Sequence, residues 1–194
     1  MDYKFLITGL RNILINPTNY WESIHYNNTP MKLIRNSFLL PLILLVSVAV
    51  TTGSLVFINT ELSFIYSILL GVRSFVVLYI TVYLTTYMLG EITYPLDLGK
   101  DFNISFRLIV FSLTPFLLCQ VVSSIFESLL FINLIGLYGL YIFWAGAEVM
   151  LKPPQHKRIP MIVAITIVLI AIYFASDLML SIVTDRIYYS YFAR

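Results

Sequence analysis

Long uninterrupted runs of apolar residues dominate the chain, and short polar segments separate them. Each run has 19 or more residues, and about 20 helical residues rising ~1.5 Å each are needed to cross ~30 Å of hydrocarbon. The sequence therefore predicts an all-α polytopic membrane protein with five transmembrane helices. The predicted spans cover residues 37–58, 64–90, 108–126, 129–149 and 161–183.

Lysine and arginine are divided unequally between the two sides of these spans. Nine lie before the first span, between the second and third, or between the fourth and fifth, whereas two follow the last span. The connections on the second side carry Glu61 and Glu127 and no basic residue. Because cytoplasmic segments of membrane proteins carry the excess of Lys and Arg, we predict a cytoplasmic amino terminus. Residues 184–194 then form a short external tail.

Composition narrows the classes of function. Only 11% of the residues are charged and 59% are hydrophobic, whereas a soluble domain has roughly 25% charged residues. The net charge of +2 is small and segregated by side, so no nucleic-acid partner is expected. We expect membrane lipids as partners, together with other membrane proteins or a second copy of the chain. The single cysteine excludes a disulfide within the chain.

Residues 1–36 form a predicted cytoplasmic lead-in to the first span. The apolar residues between positions 5 and 14 fall on one side of a helical wheel, and Lys4 and Arg11 fall on the other. A short helix of this kind lies in the headgroup layer of a membrane. Trp21 follows and is suited to the same interface because its ring is apolar and its N–H is polar. We favour an interfacial anchor, with a docking helix for a soluble partner as the alternative.

Motifs for enzymatic chemistry are missing from the sequence. It contains no His-Glu-x-x-His, no Gly-x-Ser-x-Gly and no glycine-rich phosphate loop. His25 and His156 are the only histidines, and both lie outside the predicted spans. We therefore expect no enzymatic activity, no metal site and no cofactor.

Three ionisable residues in the predicted spans are candidates for an intramembrane polar network: Arg73, Asp177 and Glu148. Such groups are unfavourable in hydrocarbon and usually pair with one another or line a pathway. At helical rise, Arg73 lies ~13 Å and Asp177 ~9 Å from the outer ends of their spans, so the two can meet. We expect Arg73 to pair with Asp177, or otherwise with Glu127. A structural ion pair is favoured over a cavity or ion path, and Glu148 marks the inner surface.

Small residues and one proline predict how the helices pack. Gly136, Gly139 and Gly146 lie along one side of the fourth span, where they would allow another helix to approach closely. Pro115 near the middle of the third span predicts a kink, with Ser112 and Thr114 available to satisfy the freed carbonyl. Broken helices also occur at transporter sites, which is the alternative interpretation of Pro115.

The order of several short motifs resembles the YIP family, the Ypt/Rab-interacting five-span membrane proteins, in its shorter bacterial form. The similar features are Asn16-Pro17 followed by Trp21, then Pro41, Gly99-Lys100-Asp101-Phe102, Ser112 to Pro115, and Gly136 with Gly139 running on to Lys152. The resemblance implies five helices, a cytoplasmic amino terminus and a location in the bacterial cytoplasmic membrane. In eukaryotic relatives it also implies binding of prenylated Rab-type GTPases. The long acidic cytosolic segment that those proteins use has no counterpart here, which argues against that partner.

These observations lead to two hypotheses about function. The first is a non-enzymatic membrane scaffold or organiser that acts through helix packing and partners on the cytoplasmic face. The alternative is a small transporter or channel that uses the Arg73 and Asp177 network together with the kink at Pro115.

The predicted orientation can be tested with single cysteines introduced by Glu61→Cys, Glu127→Cys and Lys157→Cys. An impermeant thiol reagent added to intact cells should label the first two, because both lie in the predicted outer connections. The third should become labelled only after the membrane is permeabilised. Labelling of position 157 alone in intact cells would reverse the orientation.

Overall fold

The computed structural model describes residues 3–57, 63–96 and 98–191, and helices account for nearly all of them. No strand occurs within these ranges. Five helical segments are long and apolar enough to cross a membrane, which confirms the predicted all-α class and the number of spans. They cover Met31–Val56, Phe64–Thr93, Phe102–Ile125, Leu129–Met150 and Gln155–Ser190.

Helix breaks divide the described parts of the chain into nine α-helices, which are α1 (Tyr3–Ile15), α2 (Pro17–Tyr26), α3 (Met31–Ile34), α4 (Leu40–Phe57), α5 (Ser63–Thr93), α6 (Phe102–Ser112), α7 (Thr114–Ile125), α8 (Tyr138–Met150) and α9 (Gln155–Tyr191). A π-helical turn, Arg35–Leu39, joins α3 to α4, so that the first span is helical throughout. Helical turns of the 3₁₀ type cover Tyr94–Leu96 and Glu127–Leu137.

The dipeptide Asn16-Pro17 sets the boundary between α1 and α2. Helix α1 ends at Ile15 and Pro17 begins α2. Proline is tolerated there because the N–H groups of a helix's first turn have no hydrogen-bond acceptor within the helix. The apolar side of α1 packs on the bundle, with Ile13 fully buried and Leu10 and Leu14 partly buried. Much of the apolar surface assigned to the membrane interface is therefore covered by the protein itself.

The third span begins earlier than its apolar run. The predicted start was residue 108, but α6 begins at Phe102 because the Asp101 carboxylate accepts hydrogen bonds from the backbone N–H groups of Asn103 and Ile104. This is an N-cap that satisfies donors at the helix start. The helix then breaks at Leu113, and α7 carries Pro115 in its first turn. The break agrees with the predicted kink.

The fourth span differs from the predicted continuous α-helix over residues 129–149. Its first half is the 3₁₀ segment Glu127–Leu137, which is kinked at Leu129 (φ −101°, ψ 24°), and the α-helix starts only at Tyr138. A 3₁₀-helix rises ~2.0 Å per residue instead of ~1.5 Å, so the residues after this kink cover a longer distance than they would in an α-helix. Because each residue rises further, this short apolar segment is long enough to run back beside α7.

The fifth span runs well beyond the predicted residues 161–183. Helix α9 continues from Gln155 to Tyr191 and includes Pro160 near its start. Most of the predicted external tail, residues 184–194, is thus a helical extension rather than an irregular segment. Glu61, expected in an outer connection, lies outside the described residues.

The core is formed by the inner faces of α2, α4, α5, α6, α7 and α8. Large aromatic side chains fill its centre, and Phe111 contacts both Trp21 and Phe38 at ring-centroid distances of 5.5 and 4.8 Å. Helix α9 lies on the outside and packs mainly against α5. Its other side chains form a long exposed apolar face, as expected of a helix surrounded by lipid.

The closest glycine approach was not predicted from the sequence. A Cβ atom at Gly53 of α4 would lie 1.8 Å from the backbone oxygen of Ser124 in α7. Backbone atoms of a packed helix cannot move aside like the end of a side chain. Gly53 therefore determines how closely the first and third spans pack.

We predict that Gly53→Ala destabilises the detergent-solubilised protein by about 1–3 kcal/mol, the range expected for an overpacked core. Gly90→Ala is the matched control, because its Cβ would meet only the flexible Lys100 side chain at 3.5 Å. Thermal unfolding followed by size-exclusion chromatography should separate the two variants clearly. Equal stability of both variants would contradict the close packing of α4 and α7.

Candidate functional site

An ion pair joins α5 to α9. Arg73 Nη2 donates to the Asp177 carboxylate oxygen Oδ1 at 2.7 Å and to the Asp177 backbone oxygen at 3.2 Å. The pair forms because α9 packs along α5 and brings the two positions to the same level. This is the pairing expected from the sequence. The side chain of Arg73 is 19% exposed and that of Asp177 is 42% exposed, so the carboxylate is the more accessible partner.

Further polar side chains follow the same contact between α5 and α9. Tyr66 Oη donates to Asp185 Oδ1 at 3.2 Å, two turns from the ion pair along α9. On the other side, Gln120 Nε2 of α7 donates to Tyr173 Oη at 3.3 Å. The sequence analysis did not identify these residues. The spacing of Tyr173, Asp177 and Asp185 in steps of four and eight places them on one helical face, which is a signal that could have found them.

A cavity of about 190 Å³ lies beside the ion pair. Arg73, Ser74, Gln120, Tyr173 and Asp177 supply its polar lining, and apolar side chains of α4 and α5 complete it. The cavity thus brings a cation, a carboxylate, an amide and two hydroxyl groups together between four of the spans. We call it the polar cavity.

Glu148 does not belong to this network, in contrast to the expectation from the sequence. Its carboxylate pairs with Arg158 and also accepts a hydrogen bond from Trp144 Nε1 at 3.1 Å. Glu148 lies near the end of α8 and Arg158 in the first turns of α9, so the pair holds the connection between these helices. Helical spacing alone would offer Lys152, at i+4, as the partner of Glu148, and cannot reveal this tertiary contact with Arg158.

The glycines of the fourth span make the close helix contacts that were expected of them. A Cβ at Gly136 would meet Phe116 at 3.1 Å, and a Cβ at Gly139 would lie 2.2 Å from the Ser112 backbone oxygen. A Cβ at Gly146 would overlap the Trp21 ring at 2.5 Å. These glycines therefore seat the fourth span against α7, the end of α6, and α2 respectively.

At the break before Pro115, one of the two expected hydroxyl groups supports the backbone. Thr114 Oγ1 donates to the Val110 backbone oxygen at 3.3 Å. Ser112 Oγ is buried and has no hydrogen-bond partner among the described residues. The carbonyl that Pro115 leaves without an i+4 donor is that of Phe111, so the hydrogen bond of Thr114 supports the neighbouring carbonyl instead.

Trp21 is not a membrane-interface anchor, which corrects the prediction from the sequence. The side chain is fully buried, and its indole Nε1 donates to the Ile142 backbone oxygen of α8 at 3.0 Å. The absence of a side chain at Gly146 provides the space for its ring. Trp21 therefore fastens α2 to the transmembrane bundle.

Two more hydrogen bonds hold the amino-terminal helices in place. Tyr138 Oη of α8 donates to the Leu14 backbone oxygen of α1 at 3.1 Å. Arg107 of α6 is buried, and its Nη2 donates to Asn28 Oδ1 at 2.9 Å in the turn after α2. We call α1 and α2, held in this way, the amino-terminal platform. Sequence spacing gives no sign of these contacts, because each joins residues more than 75 positions apart.

The outer surface of the platform is polar with a few apolar side chains. Lys4 and Arg11 of α1 are both exposed, as expected from the helical wheel. They share the exposed side of the helix with Tyr3, Ile7 and Ile15. This surface therefore combines basic groups with apolar side chains, a combination that suits either a membrane surface or a partner protein.

No group of three or more His, Cys, Asp or Glu residues that could hold a metal ion occurs in the described parts of the chain. The five apolar spans and the polar cavity between them, together with the attached amino-terminal platform, define this chain as an integral membrane protein of five spans. The family profile of the Yip1 domain matches residues 11–176, so the chain belongs to this family. No curated protein and no solved structure matches it significantly.

The coupling of Arg73 and Asp177 can be tested with Arg73→Leu, Asp177→Leu and the double variant. Either single variant leaves one charge without its partner, so each should lose stability by about 1.5–3 kcal/mol. The double variant should lose less than the sum of the two, measured as thermal unfolding in detergent. Glu91→Gln, which breaks the exposed pair with Lys100, should have little effect and serves as the control. Strictly additive losses would show that the pair is not coupled.

Proposed function

We propose that this protein is a non-enzymatic membrane scaffold of the bacterial cytoplasmic membrane, and that the amino-terminal platform is its docking surface. The platform lies on the side that the charge distribution predicts to be cytoplasmic. The observation that carries the proposal is the buried hydrogen bond from Trp21 to the Ile142 backbone oxygen. A surface attached to the transmembrane core in this way keeps one shape when a partner meets it.

The way the platform is held supports a role in binding other proteins. A helix that served only as a lipid anchor would keep its apolar side for the membrane. Here that side packs on the core through Ile13, Leu10 and Leu14. Polar side chains of α1 and α2, including Arg11 and His25, remain exposed. A preformed rigid surface binds with a smaller loss of conformational entropy than a mobile segment does.

Transport, the alternative function, is not favoured. The polar cavity lies next to a second cavity whose lining is almost entirely apolar, including Ile109, Leu113 and Phe143. Ions and polar solutes would lose hydration there without gaining replacement ligands.

The docking proposal predicts where partner proteins crosslink in native membranes. A photoreactive amino acid at exposed Arg11 or Tyr26 should give specific adducts with protein, because both side chains point away from the bundle. The matched control is Val163 on the exposed apolar face of α9, which should give lipid adducts. Adducts are identified by mass spectrometry after purification.

A second experiment tests whether the formation of protein adducts depends on the attachment of the platform through Trp21. Trp21→Phe keeps an aromatic ring but removes the donor to Ile142, at a cost of about 1 kcal/mol. It should lower the yield of protein adducts at position 11, whereas Trp144→Phe on the exposed side of α8 should not. Lipid adducts alone at positions 11 and 26 would overturn the docking role. Solute flux by the reconstituted protein that Asp177→Asn abolishes would favour transport instead.

A further inference from the structure

A second cavity, of about 280 Å³, lies between α5, α6, α7, α9 and the fourth span, where both α8 and the 3₁₀ segment Glu127–Leu137 line it. Its lining is almost entirely apolar, and we call it the apolar cavity. Leu140, Ile170 and Phe174 belong to this lining and are also exposed on the outside of the bundle. The cavity therefore opens sideways between α8 and α9, towards the region where a membrane-spanning bundle meets acyl chains.

The apolar cavity and the polar cavity are neighbours. Leu78 and Tyr173 line both of them, so that the two form successive compartments along one contact between helices. The first compartment contains the ion pair of Arg73 and Asp177, and the second contains almost no polar surface. An amphiphile matches this arrangement, because its charged head suits the first compartment and its apolar chain suits the second.

Depth in the membrane is consistent with such a ligand. The 31 residues of α5 extend over ~46 Å, which exceeds the ~30 Å of hydrocarbon by ~16 Å. If the excess is shared between both ends, Arg73 lies ~7 Å inside the nearer boundary. Thr81, which lines the apolar cavity, lies eight residues or ~12 Å further along α5, just past the middle of the hydrocarbon. The head would thus lie near the interface and the chain would point inward.

The charges of the polar cavity select the headgroup. All described hydrogen bonds of Arg73 leave from Nη2, so the guanidinium retains donors that suit a phosphate. The Asp177 carboxylate is the more exposed partner of the pair and can accept hydrogen bonds from an ammonium group. Cation and anion lie side by side, as a zwitterionic headgroup requires.

We propose that the two cavities form a binding site for one phospholipid whose headgroup carries a primary ammonium, such as phosphatidylethanolamine. The phosphate binds Arg73, the ammonium binds Asp177, and one acyl chain passes Leu78 and Tyr173 into the apolar cavity. A quaternary ammonium has no N–H to donate to Asp177. An anionic headgroup without an amine leaves the occupied site with a net negative charge, because Arg73 alone then compensates both the phosphate and the Asp177 carboxylate. Both should bind less well than phosphatidylethanolamine.

Native mass spectrometry of the full-length protein in detergent tests the site. The protein is offered equal amounts of phosphatidylethanolamine, phosphatidylcholine and phosphatidylglycerol with identical acyl chains. One bound phosphatidylethanolamine is expected, at about tenfold excess over either competitor, the effect of one charge-assisted hydrogen bond. Excess phosphoethanolamine without acyl chains should not displace the lipid, because it cannot fill the apolar cavity. Equal binding of the three lipids, or displacement by the free headgroup, would overturn the proposal.

Two variants separate the roles of head and chain. Asp177→Asn should abolish the preference for phosphatidylethanolamine over phosphatidylcholine. Ile170→Trp places a large ring at the opening of the apolar cavity and should lower the bound fraction of all three lipids about tenfold. Ile167→Trp lies on the same exposed side of α9 but does not line the cavity, so it should bind like the parent protein. Unchanged binding by Ile170→Trp would contradict the site even if Asp177→Asn fails to fold.

Discussion

The charge of Arg73 is the constraint on which the membrane part of this protein depends. An unpaired arginine costs about 2.5–3.5 kcal/mol at the centre of the bilayer even on the lenient insertion scale, and less at the depth of Arg73, ~7 Å inside the nearer boundary. Pairing with Asp177 removes most of that penalty only if α9 packs on α5 at one register. Helix α9 packs extensively on α5 and makes few contacts with the other helices, so the ion pair helps to fix the register of α9 along α5. The polar cavity and the proposed lipid site both follow from the resulting arrangement.

A second group of contacts fixes the amino-terminal platform at the opposite end of the bundle from the ion pair. Trp21, Tyr138 and Arg107 each make a hydrogen bond between α1 or α2, or the turn after them, and the transmembrane helices. The Trp21 bond is buried and the other two are partly buried, and an unsatisfied donor or acceptor is unfavourable where water is excluded. The platform is therefore part of the fold and not an appendage, which is what a scaffold with a constant docking surface needs. The lipid site and the platform use different residues and can be tested independently.

The sequence predicted those features for which a single physical requirement allows only a few arrangements of the chain. The length of apolar runs is set by the thickness of hydrocarbon, so the number of spans was predicted correctly, although several of their boundaries were not. Arg73 and Asp177 could be paired because few ionisable residues occur within the spans and these two share a depth. The glycines of the fourth span were identified because close helix contacts in membranes use small residues.

Apart from that ion pair, the contacts between distant segments could not be predicted from one sequence. The amphipathic character of Trp21 suits both a position among lipid headgroups and a position in the core next to a carbonyl group. The buried position is possible because Gly146 leaves space for the indole ring, which sequence alone does not show. Glu148 could pair with Lys152 by helical spacing, but the turn into α9 brings Arg158 closer. Gly53 looks like any other glycine in an apolar run, and its importance depends on the Ser124 backbone behind it.

The most direct test of the account is the distance between the Arg73 guanidinium and the Asp177 carboxylate in a phospholipid bilayer. Solid-state NMR dipolar recoupling with ¹⁵N-labelled arginine and ¹³C-labelled aspartate can measure it, with Asp177→Asn to assign the signal. The structure, with an N–O distance of 2.7 Å, predicts direct contact and a strong dipolar coupling. A coupling too weak for direct contact would show that Arg73 is neutralised in another way and that α9 is held by other forces.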